Sequence, residues 1–287
     1  MNFSETLFAL SQYPLPHHAL SRLMGYVTRS TNPTFKNWFI PRFIRLFNVN
    51  MAEAAQEDPA AYACFNDFFT RALKPGARPP AEGDNTLVCP ADGVLSQFGA
   101  VDSDRLIQAK GRDYRLTDLL GGDEALAGEF QHGQFATVYL SPRDYHRLHM
   151  PLAGRLRAML HVPGRLFSVN SATTRVIPDL FARNERVIAI FDTEAGPMAL
   201  ILVGAIFVAS IDTVWHGTVT PPSADAVQRW DYRDAPLNLE RGAEMGRFNM
   251  GSTIIVLFAK DRMAWRADLS AGTAVRMGQA LGAYVAS

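Results

Sequence analysis

Bulky apolar residues recur at helical spacing over residues 34–47. Phe35, Trp38, Phe39, Phe43, Leu46 and Phe47 form one stripe, and Lys36, Arg42 and Arg45 lie largely off it. The spacing predicts an amphipathic helix that Pro41 kinks or restarts. Residues 51–80 read as short helices, the clearest at 65–73 (FNDFFTRAL), and the Pro75, Pro79, Pro80 and Gly83 cluster marks an edge. Beyond it the pattern changes to strands, at 87–100, 135–140, 152–162 and 187–215, broken by Gly and Pro. In one of them Leu152, Leu156, Ala158, Leu160 and Val162 alternate with Arg155, Arg157, Met159 and His161, the pattern of a half-buried strand. Residues 123–130 and 171–182 predict small covering helices. Strand and helix do not alternate strictly, so no parallel sheet is implied. The expectation is an α+β fold, with N-terminal helices (residues 1–75) followed by a mostly antiparallel, β-rich core (76–287).

Composition narrows this. Apolar types make up 48% and charged types 20%, a globular balance that sets disorder aside. At 287 residues one main core is expected, since cores stop growing near about 250 to 300 residues. The 28 basic and 28 acidic residues cancel, so no whole-chain field draws the protein to nucleic acid. Cys64 and Cys89 give neither a disulfide scaffold nor zinc-knuckle spacing, which fits a reducing compartment. The longest near-continuous apolar run, 198–211, is shorter than the ~18 residues of a membrane span. Glu5 precedes any basic residue and Pro14 and Pro16 interrupt the start, so neither a signal nor a transit peptide is expected.

The zero net charge hides an asymmetry. Residues 1–50 hold Arg22, Arg29, Lys36, Arg42 and Arg45 against Glu5 alone, five minus one or plus 4, together with nine of the chain's thirty aromatic residues. A basic, aromatic-rich amphipathic segment can lie in a bilayer interface, but packing onto the core is the ordinary use of an apolar helix face.

Three segments carry able chemistry. In VCPADG, Asp92 sits at a strand-to-turn position between Pro90 and Gly93. In YLSPRDYHRLHMP, His146 and His149 lie three apart, which on a helical turn puts both rings on one side. That pair serves acid–base chemistry better than a metal, since no third ligand stands at a recognisable spacing. In EMGRFNMGSTIIVLF, Gly251 and Ser252 precede a strongly strand-like run. Asp92, His149 and Ser252 together offer a carboxylate, a base and a hydroxyl, the parts of nucleophilic catalysis, although no G-x-S-x-G elbow surrounds the serine.

FNDFFTR from Phe65, PADG around Asp92, YLSPRDYHRLHMP, PGRLFSVN, LFARNERV, WHGTVTPP from Trp215 and FNMGST together span nearly the whole chain. On these motifs the chain resembles the bacterial phosphatidylserine decarboxylases, pyruvoyl-dependent enzymes of phosphatidylethanolamine synthesis. The family commonly has Leu before Gly-Ser-Thr; Met250 here is of similar volume. The resemblance implies self-cleavage between Gly251 and Ser252, driven by Asp92, His149 and Ser252. Ser252 then becomes a covalent pyruvoyl group that forms a Schiff base with substrate, with no metal, and His146 handles a substrate proton. Thr253 helps position the cleaved bond. Fragments 1–251 and 252–287 are expected to stay associated, with the strand at 254–258 central.

The resemblance also implies phosphatidylserine in the bilayer as substrate and peripheral attachment through the N-terminal helices, which it makes membrane-facing, on the cytoplasmic side of the cell membrane. A homodimer is a further expectation, and nucleic acid is not a partner. Two other readings use the same residues: a serine hydrolase that leaves the chain whole, and a lipid-binding module whose β-body is scaffold.

Overall fold

Thr253–Phe258, six buried residues without a charge, is the middle strand of the main sheet. A run this short and continuously apolar suits a strand covered on both faces. It pairs antiparallel with Gly196–Val203 on one side and Gln134–Tyr139 on the other. The computed structural model describes residues 3–207, 210–222 and 224–285. Among these, nine strands join the main sheet, and every strand pairing is antiparallel, as the α+β expectation has it. Residues 208 and 209 of the predicted 187–215 segment lie outside the described residues; the rest of it forms Arg186–Thr193, Gly196–Val203 and Ile211–Thr213.

Two smaller sheets deliver the loops of interest. One orders Gly217–Thr220, Ile211–Thr213, Glu244–Phe248 and Arg147–His149, so it carries His149 and ends at Phe248, just before the Gly251–Ser252 link. The other orders Thr86–Val88, Ala280–Tyr284 and Met263–Trp265, and leads from Val88 into the Asp92 loop.

Several predicted elements come out differently. Gly154–Val162 is half-exposed only at its start: the register shifts between Leu156 and Ala158, and both Met159 and His161 are buried. His161 is accommodated by a 2.9 Å hydrogen bond from its Nε2 to Glu185, which satisfies one of its two ring nitrogens inside the core. The 171–182 helix divides into Ser171–Val176 and Leu180–Arg183 around Pro178, and the 123–130 helix is trimmed to Glu124–Gly128.

Among the described residues four α-helices precede the core: α1 (Phe3–Leu10), α2 (His17–Thr28), α3 (Pro33–Phe47) and α4 (Phe65–Phe69). Asn32 caps α3 by accepting from Phe35 N at 3.0 Å, Pro33 opens its first turn, and Asn48 closes it in the left-handed conformation. Pro41 does not restart this helix. The predicted 65–73 helix stops at Phe69, and Leu73 instead bridges Ala54.

The apolar stripe of α3 splits between two tasks. Phe43 packs on Phe65, Phe68 and Phe69 with ring centroids 4.9 to 6.0 Å apart. Trp38 and Leu46 face outward. Helices α1 and α2 reach the core through the Gln12–Ser168 and His17–Leu166 hydrogen bonds, yet leave Phe3, Leu7, Leu23 and Tyr26 exposed, Phe3 by 82% and Tyr26 by 80%. Among the described residues no helix is long and apolar enough to cross a membrane.

Candidate active site

Asn249 to Ser252 cross from one sheet to the other. Asn249 is pinned first: its amide donates to Ser210 Oγ at 2.5 Å and accepts from Asn66 Nδ2 at 2.9 Å. Met250 follows with φ +112°, a conformation that costs a residue with a Cβ about 1–3 kcal/mol. At Gly251 a Cβ would stand 3.2 Å from His146 Nε2 and 3.3 Å from Leu140 O, so a larger residue would press on both. Ser252 is wholly buried, its carbonyl accepting from Leu140 N at 2.8 Å while its Oγ has no hydrogen-bond partner. A buried hydroxyl left unpaired costs roughly 1–3 kcal/mol. Strain and an unsatisfied hydroxyl thus meet at one peptide link.

His146 stands beside that link. Its Nδ1 is 2.8 Å from Asp144 O, and because a carbonyl only accepts, Nδ1 carries the proton of the neutral ring. Nε2 is left with a lone pair, buried and without a partner. The ring packs on Phe69 with centroids 4.1 Å apart. Burial first, then the positive charge of Arg71, lowers its pKa to about 3, so the ring is neutral at pH 7.

His149 sits on Arg147–His149, a strand and not the helical turn that would put both rings on one side. Its Nδ1 donates to Gly242 O at 2.8 Å, and its Nε2 accepts from the Tyr145 hydroxyl at 3.0 Å. Burial lowers its pKa too, opposed by the Gly242 hydrogen bond and by the negative fields of Glu244 and Asp92. Burial pushes the Tyr145 phenol up to about 12, which keeps it a donor.

Asp92 is clamped. Arg78 Nε contacts both carboxylate oxygens at 2.9 and 3.1 Å, Nη2 adds a 2.6 Å bond, and Met277 N donates to Oδ1 at 2.8 Å. Gly93 is required next to it, because a Cβ there would fall 2.2 Å from Tyr139 O. The Asp92 loop meets the histidine strand through the 2.9 Å bond from His149 N to Pro90 O.

The structure therefore brings His146, Gly251 and Ser252 together, and places Asp92 and His149 side by side on adjoining segments. Among the described residues no hydrogen bond joins the side chains of Asp92, His149 and Ser252 to one another. Thr253 Oγ1 is buried without a partner at the head of the central strand. Sequence reasoning missed Arg78, Tyr145, Phe69 and Asn249. Tyr145 was within reach, since it lies inside the histidine motif; Arg78 carried no signal.

A cavity of about 260 Å³ leads from α3 to Met250 and Gly251. Phe43, Phe47, Phe69 and Leu140 make its wall apolar, with Ser168 and Asn170 as polar points. It suits a molecule with an apolar tail and a small polar end. Among the described residues no three His, Cys, Asp or Glu side chains converge as a metal site would require.

A family model described as phosphatidylserine decarboxylase matches residues 65–283, and a second, described as PSD, matches residues 7–48. The chain belongs to the phosphatidylserine decarboxylase family. It is similar to the phosphatidylserine decarboxylase proenzyme of Methylococcus capsulatus, 58% identical over 276 residues and 96% of each chain. The proenzyme of the same name from Bordetella pertussis is 59% identical over 283 residues, 98% of this chain and 95% of its own. That from Pseudomonas entomophila is 58% identical over 277 residues, 96% of each. The phosphatidylserine decarboxylase likeness thus covers the N-terminal helices as well as the core.

Proposed function

We propose that the chain is the precursor of a phosphatidylserine decarboxylase, which cuts itself between Gly251 and Ser252 and converts phosphatidylserine to phosphatidylethanolamine and carbon dioxide. The observation that carries the reading is the buried, unpartnered Ser252 hydroxyl two residues after a strained Met250. Ser252 Oγ attacks the Gly251 carbonyl carbon. The peptide C–N bond gives way to a C–O ester, and the nitrogen takes up the proton the hydroxyl lost. Loss of the Ser252 α-proton expels Gly251 as a carboxylate and leaves dehydroalanine; water then replaces its nitrogen, ammonia departs, and a pyruvoyl end remains at 252.

His149 is the base of this step. Its neutral ring keeps the lone pair on Nε2, and the Asp92 and Glu244 charges support its basicity. To act, it exchanges the Tyr145 hydroxyl for that of Ser252. Asp92, fixed by Arg78, supplies the field that stabilises the imidazolium. In the precursor the His146 ring is held neutral by burial, and its Nε2 makes no hydrogen bond to the Ser252 hydroxyl. It faces the place Gly251 occupies and handles the substrate's proton once the new chain end withdraws. Thr253 helps hold the cleaved bond in position.

The residues around position 252 fit a pyruvoyl end: a buried serine immediately before the rigid central strand, a neutral histidine beside it and an apolar cavity in front. When formed, that group supplies the electron sink for the carbanion left by carbon dioxide. The apolar wall disfavours a carboxylate relative to the neutral gas that leaves it.

Residues 252–287, 36 in number, are fewer than the ~40 that usually fold unaided, and their first strand is hydrogen-bonded on both edges by the larger fragment. The two fragments therefore stay associated. Residues 1–75 form the membrane-association region and 76–287 the catalytic core, with the enzyme peripheral on the cytoplasmic side of the cell membrane and paired as a homodimer. The exposed Phe3, Leu7, Leu23 and Tyr26, and Arg42 lying 4.4 Å over the Trp38 ring, support the membrane role.

The two histidines divide the reading cleanly. His149→Ala should slow chain cutting by about 10²- to 10⁴-fold, the usual worth of a general base. His146→Ala should yield cut chains that fail to decarboxylate. A His149→Ala chain that is cut at the normal rate contradicts the assignment.

A further inference from the structure

A second cleft, of about 400 Å³, opens beyond the C-terminal end of α3 and shares no lining residue with the cavity at Gly251. Four arginines line it (Arg71, Arg78, Arg143 and Arg276) against three carboxylates (Glu53, Asp92 and Asp144), four minus three or one positive charge in excess. The pairing shows where the excess lies. Arg78 is closed by Asp92 and Glu53 at 2.6 and 2.8 Å. Arg143 and Arg276 make only long contacts, 3.9 Å to Asp144 and 3.5 Å to Glu53, from exposed side chains that are free to turn. Arg71 has no ion pair among the described residues. It is 4% exposed, its Nη2 donates to Arg143 O at 3.1 Å, and its Nε and Nη1 have no acceptor.

A buried guanidinium without a carboxylate is costly, and what this one lacks is negative charge. We infer that this cleft binds an oxyanion of the phosphate class, with buried Arg71 as its fixed counter-charge and Arg143 and Arg276 closing over it. The amides of Asn48, Asn50 and Gln279 at the same cleft offer neutral donors, as phosphate oxygens require. The carboxylates already engaged by Arg78 stay out of the way. Asn48 follows directly on α3, whose Leu46 is exposed, so both a free phosphate and a phospholipid headgroup can reach the opening. The inference goes beyond the decarboxylase reading: the cleft borders Asp92 and Tyr145, but Arg71, Arg143 and Arg276, which would hold the anion, are assigned no step in chain cutting.

Calorimetric titration of inorganic phosphate into the full-length protein, as purified and as the Ser252→Ala chain, tests the site. Saturable binding is expected, weakened about tenfold or more by Arg71→Gln and several-fold by Arg143→Gln or Arg276→Gln. The two rim variants keep the test open should Arg71→Gln fold poorly. Glycerol 3-phosphate and phosphatidylcholine vesicles with or without phosphatidic acid separate the sources. Binding of the soluble anions alone assigns a free phosphate. Vesicle binding that rises with phosphatidic acid and falls in the rim variants, but not in a control at the exposed Arg266 (Arg266→Gln), assigns a headgroup. No saturable binding of any probe, or equal binding by the wild type and all three cleft variants, overturns the proposal.

Discussion

The Ser252 neighbourhood and the N-terminal helices break the same rule in opposite directions. At the first, polar atoms are buried with nothing to bond: Ser252 Oγ, Thr253 Oγ1 and His146 Nε2. At the second, large apolar side chains stand in water: Phe3, Leu7, Leu23 and Tyr26. Each violation costs stability, and neither is needed to build the antiparallel sheets between them. Places where local rules fail without benefit to the fold are where function is to be sought. The central strand adds the contrast of rigidity, since Thr253–Phe258 is held on both edges, whereas α1 meets the rest of the chain over one face only.

Removing the clamp on Asp92 should have the largest effect. Arg78→Ala leaves a buried carboxylate without its partner, and a loss of about 3–5 kcal/mol is expected in denaturant unfolding of the Ser252→Ala chain. A loss under about 1 kcal/mol would mean that water or another cation replaces Arg78.

Acid should act on the buried site next. The His146 pKa is depressed in the folded chain to about 3, so its neutral form contributes fully above the unfolded value near 6.5. As pH falls from about 6.5 towards 3, the unfolded chain takes up a proton that the folded one refuses, and stability is lost. His146→Asn should flatten that slope, measured as the urea midpoint against pH; an unchanged slope would show that the ring titrates freely when folded.

Smaller still is the relief of strain. Met250→Gly removes the cost of φ +112°, stabilises the uncut precursor and slows chain cutting about fivefold or more, as gel densitometry over time would show. Faster cutting would mean that the strain is not used. On the other side of the comparison, Leu7→Ser, Leu23→Ser and Tyr26→Ser should each change stability by no more than about 0.5 kcal/mol. Together they should cut sedimentation with anionic liposomes severalfold, and unchanged sedimentation would remove the membrane role. These substitutions are cleaner than deleting residues 1–47, which would strip Phe43 from Phe65, Phe68 and Phe69.

The central strand was legible because four β-branched residues run from Thr253 to Val256 with no polar interruption beyond Thr253 itself. Helix α3 was legible because its stripe repeats over several turns, but the same stripe could not reveal that Phe43 turns inward while Trp38 and Leu46 turn out. The His146–His149 spacing fits both a helical turn and a strand entry, so the motif named both residues without fixing which one faces Gly251. The Arg78–Asp92 clamp joins two loops 14 positions apart, and no periodicity reports such a contact. Burial of His161 was hidden by a register shift that alternation alone does not announce.

The most direct test of the central claim is intact-mass spectrometry of the full-length wild-type chain after expression and a long incubation. The account requires two associated fragments, residues 1–251 and a 36-residue piece whose first residue has lost its nitrogen and reacts as a ketone. A single 31.7 kDa chain that still carries an ordinary serine at 252 would contradict it.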